Sequence, residues 1–182
     1  MRVLVPIANG TEEMEAVIIV DMLRRAGCDV VVAGDGDLIT CSRRVRIVPD
    51  VTLDDIADDE LFEAIVIPGG SRGVTNLTEN RSFEEILLRH RKKNGLVGAI
   101  CAAPMLLHEL GFLRAKDVIT SHPSVADVLS RYSYTIDRVA VSGSIVTSRG
   151  AGTAFEFSLE LIKILFDDTT ASKVATDIVL YE

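Results

Sequence analysis

Cysteine is scarce in this chain. The 182 residues hold three, Cys28, Cys41 and Cys101, an odd and widely spaced set. That spacing argues against a disulfide framework or a CxxC metal site, and no metal is expected. Reduced thiols suit a reducing compartment, so a cytoplasmic protein is expected. Long apolar runs are also missing. No stretch approaches the ~18 continuous apolar residues of a membrane span, so no membrane partner is expected. The opening run Arg2-Val3-Leu4-Val5-Pro6-Ile7-Ala8 is too short and too weakly basic for a signal peptide, and it reads as a first strand. Positive charge is short as well: 19 Lys and Arg stand against 27 Asp and Glu, a net charge of -8. Phosphate binding needs a basic face, so a nucleic-acid partner is not expected. The only basic cluster, Arg89-His90-Arg91-Lys92-Lys93, closes a predicted helix, where cations suit the dipole. His90 is expected in solvent there. No repeat, low-complexity segment or linker divides the chain. With 48% hydrophobic and 25% charged residues, it reads as one globular domain over residues 1–182.

What is present is an alternation of strand and helix signals. Val3 to Ala8, Asp29 to Ala33, Ala64 to Pro68 and Leu96 to Ile100 read as buried strands. Leu38 to Cys41 and Val45 to Val48 read as a small hairpin. Thr11 is the expected N-cap of a helix that Gly27 stops, with Glu12 and Glu13 as first-turn partners of the dipole. Further helices are expected over Ser82 to Lys93, from Cys101 to Glu109, over Ser124 to Ser130, up to Phe166 and from Thr170. A short strand is expected over Asp117 to Thr120, and a hairpin turns at Gly143-Ser144. This order predicts an α/β protein with a mostly parallel sheet covered on both faces. Sites in such sheets lie at the strand C-terminal ends, which here are the loops after Ala8 and Pro68 and the turn at Cys101.

The stretch Leu96-Val97-Gly98-Ala99-Ile100-Cys101-Ala102-Ala103-Pro104 turns a strand into a helix at Cys101. Free amides of a helix start would push the thiol towards thiolate; the alternative is an ordinary buried cysteine. Glu15 shares a helix face with Ile18, Ile19, Met22 and Ala26. Either it snorkels at the edge, or it is buried with a raised pKa, able to bond the thiol and carry protons. Gly69-Gly70 is either a plain turn or an oxyanion site, with the Gly70 and Ala102 amides aimed beside the sulfur. His122 is the one histidine placed like a base, although a structural role fits equally and no carboxylate stands beside it in sequence to complete a triad. His108 lies too far down its helix to reach the sulfur. Cys28 and Cys41 read as packing residues. Gly150-Ala151-Gly152 reads as a helix-opening turn without a dinucleotide fingerprint.

Four stretches occur together in order: Gly10-Thr11-Glu12-Glu13-Met14-Glu15, Ile67-Pro68-Gly69-Gly70, Ala99-Ile100-Cys101-Ala102-Ala103-Pro104 and Thr147 to Phe157. In this the chain resembles the ThiJ/PfpI superfamily, in its DJ-one branch, over essentially its whole length. The resemblance implies a flavodoxin-like three-layer sandwich, similar to class I glutamine amidotransferases, and a homodimer. It makes Cys101 the nucleophile, Glu15 its acid partner, Gly70 and Ala102 the backbone donors and His122 the nearby histidine. It brings Arg43 to the site from a partner chain and puts Arg25 on the dimer side. Two positions depart from it: Val48 replaces a cysteine of some relatives, and Ala151 replaces a common proline. The activities implied are a glutathione-independent glyoxalase or deglycase acting on a small dicarbonyl without a cofactor. The alternative is an oxidative-stress sensor or chaperone in which Cys101 becomes a sulfinate.

Overall fold

The structure, a computed structural model, describes residues 1–180. The chain opens with β1 (Arg2–Ile7), α1 (Glu13–Arg25) and β2 (Asp29–Gly34). Gly27, at φ +92°, ends α1 in a conformation that L side chains avoid. Then come the short strands β3 (Ile39–Thr40), β4 (Arg46–Ile47) and β5 (Val51–Thr52), followed by β6 (Ala64–Ile67). Two helices, α2 (Ser71–Glu79) and α3 (Arg81–Lys92), lead to β7 (Leu96–Ile100) and α4 (Pro104–Glu109). The rest is β8 (Val118–Ile119), α5 (Ala126–Leu129), β9 (Ser133–Tyr134), β10 (Val139–Ser142), β11 (Ile145–Ser148), α6 (Ala154–Leu165) and α7 (Asp168–Asp177).

Seven strands form one sheet in the order β10-β11-β7-β6-β1-β2-β5. Every neighbouring pair is parallel except β10 with β11, which is the hairpin expected at Gly143. The β3–β4 hairpin stands apart as a second, antiparallel pair. Alternate residues of β1 face opposite layers. Val3, Val5 and Ile7 join Ile19, Met22, Phe157 and Leu161 on the α1–α6–α7 side. Leu4 joins Ile65, Leu77, Phe83 and Leu106 on the α2–α3–α4 side. Each fully buried Phe or Leu of these layers contributes about 1.5–3 kcal/mol of burial. This is the expected three-layer α/β sandwich. No helix of the described residues is long and apolar enough to cross a membrane.

Several local expectations are corrected. Thr11 does not cap α1; the N-cap is Glu12, and the Thr11 hydroxyl accepts from the Ala8 amide at 3.0 Å, closing the loop after β1. Glu13 is no solvated dipole partner but is buried, accepting from Ser42 Oγ at 2.8 Å and the Arg43 amide at 2.9 Å. Burial pushes its carboxyl up, but hydrogen bonds from its own amide, Ser42 and the Arg43 and Val45 amides hold it below the ordinary value. His90 is buried, not solvated: its Nε2 meets the Leu96 carbonyl at 2.9 Å, and burial lowers its pKa. Gly95 leaves room for that ring, since a Cβ there would stand 2.6 Å from His90 Nδ1. Helix α2 (Ser71–Glu79) and strands β5 and β9 have no counterpart among the elements the sequence pattern predicts.

Candidate active site

The sheet's C-terminal edge gathers the three predicted loops. Cys101 follows β7 at φ +66°, a conformation that costs a non-glycine residue about 1–3 kcal/mol. Its backbone is held from both sides: the Cys101 amide donates to the Ser148 carbonyl at 3.0 Å, and the His122 amide donates to the Cys101 carbonyl at 2.8 Å. The helix does not begin at the cysteine. It starts three residues later at Pro104 and runs for six, so Cys101 sits on the turn before it.

Glu15 is fully buried, which overturns the snorkelling alternative. Its Oε2 accepts from the Gly69 amide at 2.7 Å, and its carboxyl bonds the Cys101 thiol. Oε1 has no hydrogen-bond partner among the described residues. A side chain on Gly69 would stand 2.5 Å from Cys101 Cβ and 2.8 Å from Glu15 Oε2, so only glycine lets the two meet. Gly70, at φ +89°, lies against the α1 start, where a Cβ would stand 2.6 Å from the Glu12 amide. The turn aims the Gly70 amide at the Cys101 sulfur, and the Ala102 amide donates to the same atom.

Burial raises Glu15 from 4.5 to about 7, against the pull of the Gly69 amide and the thiol. Burial and then the Glu15 carboxylate push the Cys101 thiol up to about 12, against the Gly70 and Ala102 amides. A low thiol pKa set by the helix end is therefore corrected: desolvation and a neighbouring acid outweigh two amides and a six-residue helix. The two groups titrate as a coupled pair, both pushed up by burial, and between the two steps the pair holds one proton. That proton sits on sulfur, or on Glu15 with a thiolate facing two N–H donors. The second arrangement moves negative charge to where the amides point and creates no new buried charge.

The other expected residues surround a cavity of about 730 Å³ above the sulfur. His122 is exposed on its wall, and its Nδ1 accepts from the Ser124 amide at 3.2 Å, with Ser124 Oγ at 2.8 Å. Its ring meets serine rather than a carboxylate, so no triad is assembled. Arg43, expected from a partner chain, already lines the cavity of its own chain; the buried Glu13 holds its amide. His108 bonds the Tyr132 hydroxyl at 2.7 Å, away from the sulfur. Arg25 pairs with Asp21 on the surface of α1. Cys28 packs in the core, whereas Cys41 is buried yet touches the cavity, its thiol pushed up to about 11 by burial and the Glu13 and Glu12 carboxylates. Glu12, expected as a dipole partner, lines the cavity instead, as do Ser42 and Arg72, which the sequence does not mark as site residues. Their only signal was membership of the loops at this sheet edge.

Known proteins share this arrangement of chain. The Parkinson disease protein 7 homolog of Danio rerio is 38% identical over 98% of this chain and 97% of its own. The glutathione-independent glyoxalase DJR-1.2 of Caenorhabditis elegans is 39% identical over 85% of this chain and 82% of its own. The crystal structure of Drosophila melanogaster DJ-1beta superposes with a TM-score of 0.93 at 38% identity, covering 100% of this chain and 98% of that one. Residues 1–164 match the DJ-1/PfpI family as a whole, and on that extent the chain belongs to the DJ-1/PfpI family.

Proposed function

We propose that the protein is a cysteine-dependent, glutathione-independent glyoxalase or deglycase that turns methylglyoxal, glyoxal or their early adducts into hydroxy acids. The observation that carries this reading is the fully buried Glu15 carboxyl set against Cys101 at the one spot Gly69 leaves open, with two amides facing the sulfur. The glyoxalase among the relatives supports it. Transfer of the thiol proton to Glu15 frees a thiolate, which adds to the aldehyde carbon and forms a C–S bond. The aldehyde oxygen takes the proton and gives a hemithioacetal, with the Gly70 and Ala102 amides beside the developing charge. Glu15, ionised again, removes the hydrogen from that carbon and returns it to the adjacent one through an enediol. The resulting thioester is cleaved by water to give lactate and the free thiol. The aldehyde carbon is oxidised and the ketone carbon reduced, so the reaction needs no outside oxidant and no cofactor. His122, exposed beside the sulfur, is suited to steering the water.

The test is lactate formation from methylglyoxal without glutathione. Wild type is expected to be active, Cys101→Ala and Glu15→Ala inactive, and kcat/KM to rise as pH passes about 7, where the pair gives up its first proton. Lactate formation that survives Cys101→Ala overturns the mechanism. If wild type is inactive while mild peroxide gives a sulfinate at Cys101 alone, the redox-sensor reading holds, with the same two amides stabilising the oxidised sulfur.

A homodimer belongs to the same reading. Val17 and Val20 of α1 with Ile47 and Val48 at the end of the β3–β4 hairpin line one groove together with the charged Asp21, Arg24 and Asp50, and Val48 is 74% exposed. An apolar surface of this kind marks an interface. Three free cysteines suit a cytoplasmic location.

A further inference from the structure

The cavity above Cys101 is larger than a small dicarbonyl needs. It measures about 730 Å³. At about 30 Å³ per water-sized atom, methylglyoxal fills on the order of 150 Å³. Two arginines stand on its wall, Arg43 from the β3–β4 hairpin and Arg72 from the first turn of α2. Arg72 is laid in place by a missing side chain: a Cβ on Gly10, at φ +91°, would stand 2.7 Å from Arg72 Cβ and 3.0 Å from its Cγ. Among the described residues no carboxylate lies within ion-pair distance of either guanidinium. Arg43 only reaches the Ser42 carbonyl, at 3.3 Å. The amides of Ser71 and Arg72 open the nine-residue α2 and donate to no protein group among the described residues. Both residues line the cavity.

Negative charge is present too, and it limits the ligand. Glu12 lines the same wall, taken up by the Ser42 hydroxyl at 2.7 Å, and the Glu15–Cys101 pair holds one charge at the floor. A dianion would meet both; a singly charged carboxylate at the arginines meets less repulsion. A planar guanidinium also matches a carboxylate with two parallel hydrogen bonds.

We propose that Arg72, with Arg43 and the first-turn amides of α2, forms a subsite for the carboxylate of a larger 2-oxoaldehyde whose aldehyde carbon meets Cys101. This rests on the glyoxalase reading. The simplest such substrate is 4,5-dioxopentanoate, and its product is 2-hydroxyglutarate. The C5 hydrogen moves to C4, water supplies the new carboxyl oxygen, and C5 is oxidised as C4 is reduced.

The experiment compares kcat/KM for 4,5-dioxopentanoate and for methylglyoxal in wild type, Arg72→Gln and Arg72→Lys. Wild type is expected to prefer the carboxylate substrate by about tenfold or more, and Arg72→Gln to lose about tenfold of that preference through KM. Arg72→Lys should restore part of it. A preference unchanged in Arg72→Gln overturns the subsite. If neither aldehyde is turned over, the glyoxalase reading fails on its own. Calorimetry with the singly charged 4-oxopentanoate then decides the subsite: tighter binding to wild type than to Arg72→Gln supports it, and equal binding refutes it.

Discussion

Taking a carboxyl out of water disfavours only its charged form. Glu15 therefore keeps its proton to about pH 7 in the folded chain but to about 4.5 when unfolded. Between those values the folded state binds the proton more tightly. Its contribution is fully present below 4.5 and is lost as pH rises through 7, on the order of 3 kcal/mol in all. Glu15→Gln keeps an oxygen for the Gly69 amide and has no charge to desolvate. Urea unfolding at about pH 5 and pH 8 should show wild type losing roughly 2.5 kcal/mol more than the glutamine variant. An equal loss in both would place the penalty elsewhere. From sequence, a lone acid on an apolar stripe left two outcomes open. Only the closeness of Gly69 and Cys101 selected burial.

At the scale of elements, the site depends on how near β6, β7 and α1 come to one another. Gly69 follows β6 and admits Cys101 and Glu15 to the same spot. Gly69→Ala is expected to destabilise the protein by about 1–3 kcal/mol and to cut methylglyoxal turnover, because the new methyl parts the pair. Gly152→Ala is the control, since a Cβ there meets nothing within 4 Å, and it should stay within about 0.5 kcal/mol. Thermal unfolding and lactate assays on both variants check this. Elements with a strong apolar pattern were legible: β1, β2, β6, β7 and α6 stand within a few residues of their expected bounds. Helix α2 was not, because Gly73, Val74, Thr75 and Thr78 are weak helix formers. Burial of Val74 and Leu77 in the core holds it instead.

For the whole molecule, the groove of Val17, Val20, Ile47 and Val48 joins two elements that are far apart in sequence. If a second copy covers it, sedimentation equilibrium gives twice the chain mass for wild type. Val17→Asp and Val48→Asp should each shift the mass towards one chain, since an uncompensated charge in an apolar interface is disfavoured. A wild-type protein of single-chain mass removes the homodimer from the reading.

The layers, and the edge where chemistry collects, are legible in the run of residues, because apolar periodicity and strand–helix alternation are local and a parallel sheet aligns its strand ends. The sequence also singles out Cys101 as the residue at the sharpest turn. Each group's state, by contrast, depends on packing in three dimensions. The thiol is pushed up rather than down, Glu15 and His90 are buried, Glu13 holds the hairpin, and Arg72 reaches the cavity across Gly10. These outcomes depend on burial and on contacts between residues far apart in the chain, and neither quantity is written in a run of neighbouring residues.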